Sequence, residues 1–139
     1  MSMSPLACVV AFALWALLLV TALGITRSVL VLSGRRKATD FPAGVQHGGA
    51  AYWRLNRAHL NVLENLPVFG AIVISGVLLH VRSPLFTTLP PVILVARVVQ
   101  SCVHLSSGSA MAINVRFTAF VVQLASMAWL AVIVLRAAG

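Results

Sequence analysis

The sequence predicts an all-α fold: an integral membrane four-helix bundle of antiparallel, up-down topology with both termini on the non-cytosolic side. Three observations predict it. Of 139 residues 60% are hydrophobic and only 9% charged, and the mean hydropathy is +1.02, which leaves too few polar side chains to coat a water-soluble globule of this size. The apolar residues fall into four runs, each near the ~20 residues that a helix needs to cross the hydrocarbon. The last two links between runs are short, which favours neighbours packed antiparallel. A formal net charge of +8 does not point to nucleic acid, because the basic residues sit at the ends of apolar runs and form no stripe on a soluble domain.

The first span is expected over about 6–32. Nothing before Leu6 supplies a positively charged leader and the run is long, so it reads as a retained helix and not as a secretory signal. Ser33-Gly34 is a C-cap signal, and Arg35-Arg36-Lys37 then lies where lipid phosphates attract cations. The link 33–54 holds Pro42, Gly44, Gly48 and Gly49 and reads, from Ala38 to Tyr52, as a loop too broken for helix or strand, with Tyr52-Trp53 as an interfacial aromatic pair. The second span covers about 55–80. Ser83-Pro84 turns the chain into the third, about 85–105, where Pro90-Pro91 is expected to kink the helix or delay its start. Ser106 to Ala110 turns it back into the fourth, about 111–135. Residues 1–139 are expected to make one domain.

Orientation follows from the basic residues. The first link carries Arg35, Arg36, Lys37 and Arg54, whereas the second offers only Arg82 and the tail only Arg136, so the positive-inside rule makes link 33–54 cytosolic. That topology puts Cys8 near the outer end of span one and Cys102 near the inner end of span three, too far apart for a disulfide. Neither cysteine has metal-like or CxxC spacing, and both read as inert thiols. His47 and His80 read as loop and interface residues.

The chemistry lies in a repeated spacing. Span two has Arg57, Asn61 and Glu64, span three has Arg97, Ser101 and His104, and span four has Arg116, Phe120 and Gln123, each set at i, i+4, i+7. On a helix such positions lie within about 60° of one another and make one narrow stripe. A charge in hydrocarbon costs roughly 2.5 to 3.5 kcal/mol on insertion scales, so Arg57, Glu64, Arg97 and Arg116 are expected to point into the bundle. Counted from the cytosolic side, all three stripes and Arg27 of span one fall in the same half of the membrane, while the outer half is nearly apolar. Four arginines against one glutamate leave a surplus of three positive charges. Such a layer calls for an anion, with guanidinium forks suited to carboxylate or phosphate and Asn61, Ser101 and Glu64 available for neutral or amino groups. A small zwitterionic acid with more carboxylates than amines fits that inventory.

Blander readings stand beside this one. Arg54 and Arg27 can snorkel to lipid phosphates, and Asn61 with Glu64 can hold helices together. Haem would need His59 and His104 in one cavity, and His59 points away from the Arg57 stripe. A small cation exporter could use one membrane glutamate, but Glu64 has Arg57 two turns away on its own face, a poor arrangement for a cation. No metal spacing is present.

The segment Arg57-Ala58-His59-Leu60-Asn61-Val62-Leu63-Glu64-Asn65-Leu66-Pro67 resembles the second-helix signature of the MAPEG family, membrane-associated proteins in eicosanoid and glutathione metabolism. The order R-A-H-x-N-x-x-E-N-x-P looks closest to microsomal glutathione transferases, and the four-span plan with its basic first link extends the resemblance over essentially the whole chain. The resemblance implies a homotrimer with glutathione, as co-substrate, bound between subunits near the cytosolic face. It implies that Arg57, Asn61 and Glu64 hold the glutathione backbone, that Arg97 supports the site from span three with Ser101 and His104 beside it, and that Arg116 is the catalytic residue near the thiol. Arg27 is a looser glutathione contact, and His59 lies behind the binding residues.

Several positions depart from the family pattern. His104 stands where a tyrosine is expected, Phe117 follows Arg116 where prostaglandin-synthase-like members carry serine, and Phe120 also lacks a hydroxyl. The stretch from Arg97 to Arg116 is a few residues longer than expected. The resemblance thus implies a glutathione-dependent transferase or peroxidase acting on a lipophilic substrate that arrives through the bilayer, without metal or haem. The alternative is a non-catalytic trimeric protein of the same fold that binds a lipid headgroup or another small anion. The membrane would be the inner membrane of a bacterium or an endoplasmic-reticulum-type membrane of a eukaryote.

Overall fold

A computed structural model describes residues 3–42 and 44–139. Met1, Ser2 and Ala43, which fall in the expected domain and first link, lie outside the described residues. Four helices follow one another: α1 (Pro5–Leu32), α2 (Ala50–Leu78), α3 (Pro84–Ser106) and α4 (Ala110–Ala138). At a rise of 1.5 Å per residue they are roughly 35 to 44 Å long, more than the hydrocarbon thickness of ~30 Å. All four are apolar enough to cross a membrane, and the chain is a multi-pass integral membrane protein.

Local chemistry sets the helix ends. The Ser4 side chain accepts from the Ala7 N–H and Pro5 occupies the first turn, where its missing N–H costs nothing. At the other end Gly34 takes φ +69°, and the Leu30 carbonyl accepts from both Arg35 and Arg36, which closes α1 where Ser33-Gly34 signalled it. Helix α2 starts at Ala50, not at Leu55. The first link is therefore shorter than the sequence suggested, and Tyr52-Trp53 is helical. Ala50-Ala51 favours the helix, and Gly48 supports its start: its φ is +75°, and a Cβ there would lie 2.8 Å from the Tyr52 ring. The link is also not wholly irregular, since Ala38–Asp40 forms a 3-10 turn in which the Asp40 carboxylate accepts from the Lys37 N–H at 2.9 Å. Pro90 and Pro91 do not delay α3, which begins at Pro84 and runs through both. Ser109 caps α4 by accepting from Ala112.

Each helix turns a stripe to the core: Cys8, Phe12, Ala16 and Leu19 from α1, Ala58, Val62, Phe69 and Val73 from α2, Phe86 and Ile93 from α3, and Met127, Leu130 and Val134 from α4. Phe12 and Phe69 meet with ring centroids 5.4 Å apart. Exposed Leu14, Leu17, Leu18, Val95 and Leu124 face outward, as apolar side chains solvated by lipid do. Where α2, α3 and α4 converge, Gly76 lets the Phe86 ring occupy the space a Cβ would take, with the Val134 methyl also against it. Val9 lies against Gly70 at this same end. At the opposite end Arg27 of α1 meets Tyr52 of α2, and Arg54 of α2 meets the end of α3. These pairings make the bundle antiparallel, with an apolar end and a basic end. Cys8 is buried, Cys102 is exposed, and both are free thiols.

Candidate functional site

At the basic end α3 presents Arg97, Gln100, Ser101 and His104 on one face, as i, i+3, i+4 and i+7 spacing requires. Arg97 and Ser101 are buried, at 1% and 3% exposure. The Arg97 guanidinium lies 5.6 Å from the Phe12 ring centroid, a cation–π contact, while its Nε and Nη2 groups have no hydrogen-bond partner. The Ser101 hydroxyl donates to the carbonyl of Arg97 at 2.9 Å. Glu64 is the carboxylate whose field reaches Arg97.

Arg116 comes to this face from α4. Its Nη1 group donates to His104 Nδ1. The fields of Arg116, Arg57 and Arg54 converge on the same imidazole. Asn61 of α2 closes the group. An open cavity of about 280 Å³ is lined by Asn61, Gln100, His104 and Arg116 on one side and by Ile113, Phe117 and Phe120 on the other. Beside it Ala58, Asn61, Arg97, Gln100, Ser101 and His104 enclose a crevice with no room for a water molecule. Asn61, Gln100 and His104 border both. One wall is thus a set of N–H donors with excess positive charge, and the other is apolar and aromatic.

The structure does not bring every expected residue here. Arg57 and Glu64 were expected to point into the bundle, and they do not, for both are exposed. The cause is angular: the buried stripe of α2 is Ala58, Val62, Phe69 and Val73, and at 100° per residue it lies roughly a third of a turn from the Arg57, Asn61, Glu64 stripe. Arg27 is also elsewhere. Its Nε donates to the Tyr52 hydroxyl at 2.6 Å, and its guanidinium packs over the rings of Phe41 at 5.5 Å and Tyr52 at 5.8 Å. His47 joins that cluster, 3.2 Å from the Tyr52 oxygen. His59 is buried, with Nδ1 unpartnered. Arg54, read as a lipid anchor, donates to the Leu105 carbonyl at 3.2 Å and so caps the C-terminal end of α3.

Two residues were given no role in the sequence, Gln100 unplaced and Gln123 only as the end of the span-four stripe. Gln100 lines the open cavity, and its position three residues after Arg97 and four before His104 could have found it. Gln123 is fully buried and donates to the Gln100 carbonyl oxygen at 3.1 Å and to the Ala119 backbone carbonyl at 2.9 Å, tying α4 to α3 beside the site.

Compared with individual proteins of curated function, the chain finds no match. The model of the MAPEG family, by contrast, matches residues 5–136, a stretch that takes in almost the whole of the four spans and every residue of the cavity, and the chain therefore belongs to that family.

Proposed function

We propose that this protein is a glutathione-dependent membrane enzyme, a transferase or peroxidase that activates the glutathione thiol toward a lipophilic electrophile. The observation that carries the reading is the two-sided cavity: Asn61, Gln100, His104 and Arg116 face Ile113, Phe117 and Phe120 across one opening. Glutathione has two carboxylates, one ammonium and one thiol, which suits a surplus of guanidinium groups with a single carboxylate among them. In this reading Arg57 takes a glutathione carboxylate, Glu64 takes its ammonium, Asn61 holds its backbone, and Arg97 and Ser101 add donors around it, while Arg27, engaged with Tyr52 and Phe41, is not among the contacts. His59 supports these residues from behind.

The chemistry is thiol ionisation. A free thiol has pKa about 8.5, and a neighbouring cation favours the thiolate. Arg116 supplies that cation, and the thiol proton leaves to water at the open basic end. In a transferase the sulfur then bonds to an electrophilic carbon while the bond from that carbon to a leaving group breaks and the group departs with the electron pair. In a peroxidase it attacks the terminal hydroperoxide oxygen, the O–O bond breaks, the alkoxide takes up a proton, and the sulfenic acid formed is reduced by a second glutathione to the disulfide and water. The apolar wall of Ile113, Phe117 and Phe120 receives the lipophilic partner from the bilayer. The assembly is a homotrimer, a reading supported by the exposure of Arg57 and Glu64 in mid-helix on a single chain, where a second copy would cover them.

A second reading is a non-catalytic trimer that binds a lipid headgroup or another small anion. It is favoured by the Arg116 contact with His104 and by the lack of a hydroxyl at Phe117 and Phe120. Calorimetry with glutathione beside a conjugation assay with a panel of electrophiles separates the two. Binding with turnover supports the enzyme, and binding without turnover supports the second reading. No glutathione binding overturns the first. Native mass spectrometry with and without glutathione reports the stoichiometry, and Glu64→Gln should weaken the binding.

A further inference from the structure

The orientation of one buried amide is fixed by the backbone beside it. The Ala119 carbonyl can only accept, so the side chain that meets it at 2.9 Å must present its NH2 group. Gln123 does so, and the same nitrogen donates to Gln100 at 3.1 Å. Turning the Gln123 amide over would set its oxygen against the Ala119 carbonyl inside a fully buried site, an arrangement with no proton to share. Gln100 must then offer its oxygen to Gln123. Its own NH2 group is left on the far side of the amide, and Gln100 lines the open cavity. Without Gln123 a glutamine at position 100 could turn either edge outward.

We infer that Gln100 is a specificity-determining donor of the cavity, reading a carbonyl or carboxylate oxygen of the bound tripeptide, and that Gln123 is the positioning residue that keeps the Gln100 NH2 group aimed at it. The inference rests on the glutathione reading above. It adds a neutral donor to a wall otherwise dominated by guanidinium groups, and a neutral donor discriminates by geometry where a cation attracts any anion. A ligand with an ether or methylene at that place would leave the Gln100 NH2 group unpaired and bind more weakly.

The test compares Gln123→Glu, Gln100→Leu and the double variant in the full-length protein. A glutamate buried at position 123 is held protonated, and its single proton goes to the Ala119 carbonyl, so the same oxygen can only accept from Gln100, which turns its NH2 group inward and its oxygen to the cavity. Glutathione affinity by calorimetry should fall about tenfold in Gln123→Glu and in Gln100→Leu, with no further loss in the double variant. Unchanged affinity in Gln123→Glu, or losses that multiply in the double variant, would overturn the inference. The chain has three glutamines, Gln46, Gln100 and Gln123, so nitrogen-15 labelling of glutamine side chains resolves each amide and decides the matter without variants. Both Gln123 amide protons should exchange slowly and those of Gln100 rapidly. The reverse pattern defeats the positioning role even if glutathione binds. Wild-type protein that binds no glutathione defeats the functional reading instead, and with it the ligand assigned to Gln100, while the exchange pattern still judges the amide pair.

Discussion

The guanidinium of Arg116 on α4 donates to Nδ1 of His104 on α3. A guanidinium has donors only, so the imidazole in this pair is neutral and carries its proton on Nε2. His104 therefore aims Arg116 by accepting from it. In His104→Asn the side-chain oxygen sits near the place of Nδ1 and can still accept, whereas His104→Phe has no acceptor at all. Turnover should survive in the first and fall about tenfold or more in the second, the measure of a lost hydrogen bond to a charged group. Steady-state kinetics on both variants check this, and equal loss in the two would count against the role.

On the glutathione reading proposed above, Arg116→Gln separates binding from activation. The variant should keep most of its glutathione affinity and lose most of its turnover, because a thiolate-stabilising cation acts on ionisation more than on the rest of the tripeptide. The ultraviolet absorbance of the thiolate reports this directly. In the variant the pH at which bound thiolate appears should climb toward the value of a free thiol, about 8.5. Equal losses in affinity and kcat would refute the assignment.

Arg97 is held at a cost that packing alone does not explain. It is 1% exposed, with two nitrogen groups unpartnered. Replacing a buried charge by an apolar side chain of similar length is often neutral or stabilising by about 1 to 4 kcal/mol. Arg97→Met should accordingly leave the thermal unfolding midpoint in detergent unchanged or raised while glutathione affinity falls. A lower midpoint with intact binding would make Arg97 a structural residue.

Gly76→Ala should do the opposite. Its Cβ would enter the space held by the Phe86 ring, and overpacking of this kind costs about 1 to 3 kcal/mol. The unfolding midpoint should drop with glutathione affinity unaltered in the surviving folded protein, and Phe86→Leu in the same chain should recover part of the loss.

Four spans and their order were legible because hydropathy and length decide what crosses a bilayer, and the Ser33-Gly34 stop was legible because a left-handed glycine ends helices in a recognisable way. The start of α2 was not. Gly48-Gly49 looked like continuing loop, yet Ala50 follows directly as helix because the ring of Tyr52 folds over Gly48 and its hydroxyl holds Arg27 and His47. Long-range ties of that sort leave no local pattern. In the site, spacing placed Arg97, Ser101 and His104 on one face of α3, but the facing of Arg57 and Glu64 depended on how α2 is rotated, which periodicity among polar residues alone does not fix. Gln100 was passed over, and Gln123 was set in the span-four stripe without a role, because uncharged amides in a span look like minor polar residues until their partners are known.

The wedge of Phe86 into Gly76, with Val134 pressed against it, fastens α2, α3 and α4 at the apolar end. The cavity lies at the other end and stands open, between a wall of guanidinium, imidazole and amide groups and a wall of Ile113, Phe117 and Phe120. Any breathing of these helices must then resemble a clothes-peg, hinged at the wedge and widest at the jaws. Backbone amide exchange should accordingly be slowest around Gly76 and quicken toward Arg116, and the jaws would admit a guest without the bundle coming apart.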